Sequence, residues 1–411
     1  MKNKHRLFCV TALVAQLMCT SCEGVLMDQT DEGQDPSAPA VSEPAGITQS
    51  ENLDRDLIPD GVLVNTDNQV SLTYLDIEGH ITIEIQTPGI GSPDLDNVAI
   101  AGPMLPDQPF PPVVYRSWEP EQGLMANING QVSTLRQTNS FLSIVSSPGE
   151  APLAFSEIEM NEDNLPHSFL FSGDPGGLGK LSSFYDLVDA PYYWALKPVG
   201  VRTVGGQAQG VWYTKTGWGI GGADLIFPIT KELFFFDLTN GDNKVYLGVD
   251  RSFQGISPDL SYAGSVDVDM NANRAMTVIN LTNSQQTIFP LDPSSDRGAG
   301  WVVFSPDNQF AGWMEASGSM ISDPYDFHPR VRVGDIKNGG VVASLEADQA
   351  LSAINGSVVS FMRPAGWLNN TTMLIEVRGE NWRDATLLRF DITNGTISVF
   401  ASGSFVTFGY Q

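Results

Sequence analysis

The 411 residues carry 48 acidic against 22 basic side chains, a net charge of −26. A surface that acidic repels nucleic acid and anionic lipid head groups, which excludes both as partners. Charged residues make up only 17% of the chain, and 40 Gly with 26 Pro favour many short strands and turns over long helices.

The first residues read as an export signal. Lys2, Lys4 and Arg6 give a positive start, and a mostly apolar run follows from Leu7 to Met18. That run falls short of the about 20 residues needed to span a bilayer and suits the hydrophobic region of a secretory signal, here residues 1–21. Cys19-Thr20-Ser21-Cys22 then places small residues ahead of a cysteine, with acidic chain beyond it. The arrangement resembles the lipobox of bacterial lipoproteins, where cleavage precedes a cysteine that carries a diacylglycerol thioether. The resemblance implies lipidation at Cys22 and a membrane-anchored, extracytoplasmic protein at the cell surface or in the periplasm. Cys19 stands where that motif usually has Leu or another aliphatic residue. The three cysteines are Cys9, Cys19 and Cys22, so cleavage before Cys22 leaves one and the folded part has no disulfide framework. A domain this long buries enough core to do without one.

Residues 22–55 are rich in Pro, Ser, Thr and Ala and carry Asp28, Asp31, Glu32, Asp35 and Glu43. Such a stretch has too little apolar surface to pack, so it is expected to be a flexible tether. At roughly 5–6 Å × √n its reach is about 30 Å.

From residue 56 to 411 no amphipathic helical period stands out. Short alternating and β-branched runs are punctuated by Gly, Asn, Asp and Pro, which predicts strands. One phrase recurs: an apolar strand ending in Asp and an aliphatic residue, an Asn-Gly turn, and a second strand. Clear copies are Phe234–Gly241, Val331–Gly339 and Leu387–Gly395, with a weaker one at Thr277–Ser284 and early ones at Leu72–Gly79 and Ala126–Gly130. Asn-Gly accepts positive φ at both central positions, so a type I′ hairpin is expected, with the preceding Asp or Asn bonding the turn amides. A second phrase precedes the first at Gly255–Gly264 and Val303–Trp313, built on Ser257-Pro258-Asp259 and Ser305-Pro306-Asp307, with a degenerate copy at Arg363–Glu376. Pro sets the first central φ of a turn, so strand gives way to strand there.

Together the two phrases resemble the repeat of TolB-like β-propellers, a relative of the WD-repeat blade. The resemblance is strongest from Trp301 to Ser402, good from about Phe234, and loose over residues 56–190. It implies an all-β disc of four-stranded blades around a channel. Asn308 stands where the family usually has Gly, and Asn also tolerates left-handed geometry. The Asp-centred phrases at 237, 280, 335 and 391 are compatible with blades of about 40–45 residues plus insertions. Candidate blades fall near 61–88, 110–137, 141–172, 192–249, 253–291, 300–346 and 356–402. Seven blades are favoured, and six or eight fit the same spacing. Phe405-Val406-Thr407-Phe408 is expected to pair with an N-terminal blade and close the ring.

No motif points to chemistry. His80, His167 and His328 are far apart in the chain, and there is no Gly-x-Ser-x-Gly elbow, paired-cysteine metal motif or phosphate-binding loop. No catalytic residue, metal or cofactor is therefore assigned. Asp267–Asn273 alternates oxygen side chains but lacks the Gly and terminal acid of a calcium loop, so it reads as a polar turn. The stretch from Tyr192 to Phe227 is unusual in its aromatics and its Gly217–Gly222 run. Trp194, Trp212 and Trp218 are the candidate ligand-binding residues, Trp218 as the most exposed, since rigid rings offer large contact area. The favoured alternative is that the same rings pack between blades, with the glycines forming a long loop. The expectation is a monomeric binding module for an envelope protein, peptide or polysaccharide. Two alternatives are a hydrolase or lyase at the channel mouth and a structural envelope component resembling TolB in role.

Overall fold

Each Asp-centred phrase becomes the outer hairpin of one small antiparallel sheet, and each Ser-Pro-Asp turn joins the two inner strands of its sheet. The computed structural model describes residues 57–66, 71–90, 97–103, 108, 110–118, 122–138, 141–160, 166–175, 177–184, 193–218, 227–267, 275–291, 297–318, 327–354, 356–380 and 384–410. Cys22, the signal and the tether lie outside the described residues, as does the calcium-like run after Asp267. The described strands form seven four-stranded antiparallel sheets arranged as a β-propeller. The innermost strands are, in ring order, Ser404–Gly409, Val98–Ile100, Phe141–Ser146, Tyr193–Val204, Arg251–Ile256, Gly298–Phe304 and Phe361–Trp367. Seven is thus the blade number, and each expected blade position holds one sheet.

The ring closes as the C-terminal aromatics suggested. Ser404–Gly409 pairs antiparallel with Gly61–Asn65, Val62 opposite Phe408 and Leu63 opposite Thr407. The first blade is therefore built from both ends of the domain. Its joint with the seventh is a shared core of Val62, Val64, Leu374, Leu387, Phe400 and Phe405. Apolar burial of that kind stabilises by about 25 cal/mol per Å², and here it acts across the point where the chain starts and stops.

The outer hairpins depart from the type I′ expectation. Among the described ones only Asn129-Gly130 has positive φ at both positions, 54° and 80°. At Asp237, Asp335 and Asp391 the loop is longer, and only Gly241, Gly339 and Gly395 are left-handed. Each of these Gly amides donates to the carbonyl of its Asp at 2.9 Å. The physical reason lies in the Asp side chain. Asp237 and Asp391 accept the amides of Thr239 and Thr393 at 2.8 and 2.9 Å, which favours a helical opening turn before the Gly. The Thr393 hydroxyl and amide accordingly hold the Asp391 carboxyl below the usual carboxylate range.

The Ser-Pro-Asp turns behave as the sequence implies. Ser257 and Ser305 donate their hydroxyls to Asp259 and Asp307 at 2.6 and 2.7 Å. Asn308 has φ 56°, the left-handed geometry that its place in the repeat demands. Among the described residues one helix, Ala347–Ile354, stands in the connection between the sixth and seventh blades. Its eight residues are too few to show a helical period in sequence. It is held by burying Ala350 against a core that includes Leu345, Val359 and Val377.

Blades touch through close backbone approach, and blades two and three also through the buried Arg136–Glu157 ion pair. A Cβ on Gly255 would lie 1.9 Å from the Val302 carbonyl oxygen of the next blade's inner strand. Because that obstacle is backbone, Gly255→Ala is expected to shift the inner strands and cost about 1–3 kcal/mol, read as a lower urea midpoint. A variant melting with the parent would show that the blades can slide apart freely. The second strands of blades three, six and seven each bury a carboxylate, Glu157, Glu315 and Glu376, against arginine. Glu315 also accepts the Trp313 indole N–H at 2.9 Å.

Candidate ligand cleft

The turns joining each blade's inner strand to its second strand gather on one face of the disc, with the outer hairpins around them. Among the described residues three openings lie on this face; one, about 350 Å³, lies between the hairpins of blades one and seven, and the other two lie at and beside the channel mouth. The smaller, about 200 Å³, sits at the channel mouth and is lined by Ile100, Ser147, Gly200, Ile256, Ser257, Thr407 and Tyr410, among others. The larger, about 460 Å³, lies beside it across blades three to six. Its wall includes Leu57, Ser147, Glu150, Arg202, Thr203, Trp212, Asp259, Ser261, Tyr262, Asn280, Thr282, Asn283, Asp307 and Asn308. That volume is in the range of small-molecule sites, which run about 300–1,000 Å³.

Turn chemistry builds the cleft. Asp259 accepts from the hydroxyls of Ser257 and Ser261 and from the side-chain amide of Asn308, the last at 2.6 Å. The contact with Asn308 ties the turns of blades five and six together and fixes one wall. Asn280 and Asn283 cap their own hairpin, accepting the amides of Thr282 and Gln285 at 2.9 Å each. On the opposite wall the Ser147 hydroxyl donates to the Val201 carbonyl, linking blades three and four. Ser147-Pro148-Gly149 is a further Ser-Pro turn, with Gly149 where the two clear copies have Asp. The recurring Ser-Pro dipeptide was the signal that could have found it.

The fourth blade supplies the aromatic and cationic wall. Arg202 pairs with Gly210 across the inner hairpin. A Cβ on Gly210 would lie 2.2 Å from the Phe235 ring, so the glycine makes room for that ring. The Arg202 guanidinium lies 6.0 Å from the Phe235 centroid. Phe235 in turn packs on Trp212 at 4.9 Å, and Trp212 meets Tyr246 edge-on at 4.6 Å. Arg202 also helps hold down the Asp237 carboxyl; burial pushes that group up, but the Thr239 hydrogen bonds, with Arg202 adding to them, outweigh it.

Trp212 and Trp194 do not share one surface. Trp212 lines the cleft but is only 3% exposed. Trp194 is buried near the opposite end of its strand, with the Lys231 ammonium 4.4 Å from its ring centroid. Trp218 ends its strand opposite Tyr193, and its side chain lies outside the described residues. Arg202 and Glu150 were not singled out in sequence, and Asn308 only as a turn residue, because each sits in a different blade and no local pattern marks them as a set. Among the described residues no group of three or more His, Cys, Asp or Glu side chains is placed to hold a metal ion. No histidine is among the residues lining the cleft or the channel mouth.

No protein-family model matches the sequence, and no curated protein matches it. Several solved structures do resemble it. TolB from Acinetobacter baumannii aligns at 15% identity over 70% of this chain and 63% of its own, with a TM-score of 0.39. The chain thus spans less than two thirds of that TolB. An oligogalacturonate lyase from Vibrio parahaemolyticus aligns at 11% identity over 83% of this chain and 86% of its own, TM-score 0.48. The periplasmic gluconolactonase of Pseudomonas aeruginosa aligns at 13% identity over 85% and 96%, TM-score 0.46. At such identities a likeness concerns the fold alone, and propellers host many unrelated functions.

Proposed function

We propose that this chain is an extracytoplasmic binding module that holds a small polar segment of an envelope polymer in the larger cleft. One observation carries the reading. A cleft of about 460 Å³ is walled by turns of four blades, with Arg202, Thr203, Asp259 and Asn280 among its lining and the Asn308–Asp259 and Ser147–Val201 hydrogen bonds tying its walls across blades. A preformed polar opening of this size on a rigid scaffold is what a small-molecule site looks like. The export signal and the acidic tether ending at the propeller support placement outside the cytoplasm, with Cys22 as the point of attachment to a membrane.

Thr282 offers a clean test, because it is exposed at the cleft wall and only its backbone amide serves the turn. Thr282→Trp should fill the mouth and leave the fold intact. In thermal unfolding against a panel of peptidoglycan fragments and surface oligosaccharides, a true ligand at about 100 Kd stabilises the parent by about 2.7 kcal/mol. The variant should lose that gain. Equal stabilisation of parent and variant by every binder in the panel would remove the cleft from consideration.

A further inference from the structure

We infer that Asn129 is a site of spontaneous covalent modification, where the side chain closes onto the Gly130 backbone nitrogen and ends as aspartate or isoaspartate. Ring closure needs a free side chain, a following amide free of hydrogen bonds, and no Cβ on the next residue to crowd the ring. Five Asn-Gly pairs occur in the chain, at Asn129, Asn240, Asn338, Asn355 and Asn394, and Asn355 lies outside the described residues. Asn129 is exposed in the two-residue turn between Gly123–Ile128 and Gln131–Gln137, with φ 54° there and 80° at Gly130. Neither its side chain nor the Gly130 amide makes a hydrogen bond. A Cβ on Gly130 would have no atom within 4 Å, so the turn is open on that side.

At the other three described pairs the same atoms are engaged. The side-chain amides of Asn338 and Asn394 donate to Asp335 and Asp391 at 2.7 and 2.9 Å. The side-chain carbonyls of Asn240 and Asn394 accept the amides of Asp242 and Thr396 at 2.8 Å each. The amides of Gly241, Gly339 and Gly395, which would have to attack, each donate to an Asp carbonyl at 2.9 Å. An engaged amide gives up its proton only when its turn opens, and Asn129 has no such bonds to break. The chemistry then balances with water alone. Hydroxide takes the Gly130 amide proton, the nitrogen bonds to Cγ, and the Cγ–Nδ2 bond breaks as ammonia leaves with a proton from water. Water opens the five-membered imide at either carbonyl, which leaves one more negative charge. Isoaspartate also adds a carbon to the main chain of a loop only two residues long. That loop holds Ile128 opposite Gln131, so the tight turn of the second blade no longer fits its strands.

The test is peptide mapping by mass spectrometry of the folded full chain, held for weeks at mildly alkaline pH, with fragmentation that separates isoaspartate from aspartate. Conversion at Asn129 should be at least about fivefold faster than at Asn240, Asn338 or Asn394, the factor that one net hydrogen bond is worth. In urea all four should convert at closely similar rates, because the fold no longer protects three of them. Asp391→Ala removes the acceptor of the Asn394 side-chain amide and should speed conversion there about fivefold, leaving Asn129 unchanged. Equal rates in the folded chain, an Asn129 slower than any of the other three, or the same order in urea would overturn the inference. So would a folded Asp391→Ala variant in which Asn394 converts no faster. Should that variant not fold, the comparison of folded and urea-treated parent decides the matter.

Discussion

Glu376→Ala is expected to lower stability by about 3–5 kcal/mol, the usual cost of removing one partner from a buried ion pair. Glu376 is fully buried, and its oxygens accept from Arg363 at 2.9 Å and from Arg378 at 2.6 Å. It also accepts the amide of Phe405 at 3.2 Å, so one side chain links two strands of the last blade to the strand that closes the ring. Removing it would leave Arg363, only 7% exposed, without its counter-ion. Burial alone pushes the Glu376 carboxyl upward, but Arg363 and Arg378 outweigh it and hold it below the ordinary range. A folded value below the unfolded one means that the group stabilises fully above the unfolded value of about 4.3 and ceases to do so as pH falls through the folded value. The parent should therefore lose stability on acidification from about pH 5 downward, and Glu376→Gln should lose less over the same range. Urea titrations at several pH values measure both slopes. Parallel curves for parent and variant would show that the carboxylate's charge contributes nothing.

Breaking the closure should be more severe still. Val406 is 0% and Phe405 4% exposed, both on the strand that pairs with Gly61–Asn65. Val406→Asp forfeits about 1.5–3 kcal/mol of apolar burial and adds several more by placing a carboxylate among apolar neighbours. Deleting residues 404–411 should go further, because it exposes the Gly61–Asn65 edge to pairing with other chains. The expected results are a broadened, low-temperature unfolding transition for Val406→Asp and concentration-dependent association for the deletion, read by light scattering. A deletion variant that stays monomeric and melts cooperatively would mean that the remaining six sheets, with a three-stranded first blade, hold the ring without the C-terminal strand.

Much of the architecture was legible because propeller blades are local objects. The Asp-centred phrases and the Ser-Pro-Asp turns each lie within about a dozen residues, so chain order alone predicts which strands pair. The C-terminal aromatic run could be assigned to closure because an unpaired inner edge is costly. The helix at Ala347–Ile354 escaped because two turns of chain hold no readable period, and its stability comes from neighbours in blades six and seven. The turn type was misjudged because Asn-Gly by itself cannot report that the preceding Asp carboxylate bonds an amide two residues on.

The site followed the opposite rule. Arg202, Trp212, Asn308 and Glu150 come from blades three, four and six, and nothing within any one repeat marks them as a set. Sequence alone determined the repeat, the blade number it favours, the strand pairing and the acidic, disulfide-free character of the folded part, since these depend on residues close in the chain or on composition. Only the tertiary structure decided which face carries a cleft, that Trp212 and Arg202 both line it, and that Trp194 does not. Circular closure sets the distance between turns of different blades, and a unit that specifies only its own hairpins carries no record of that distance.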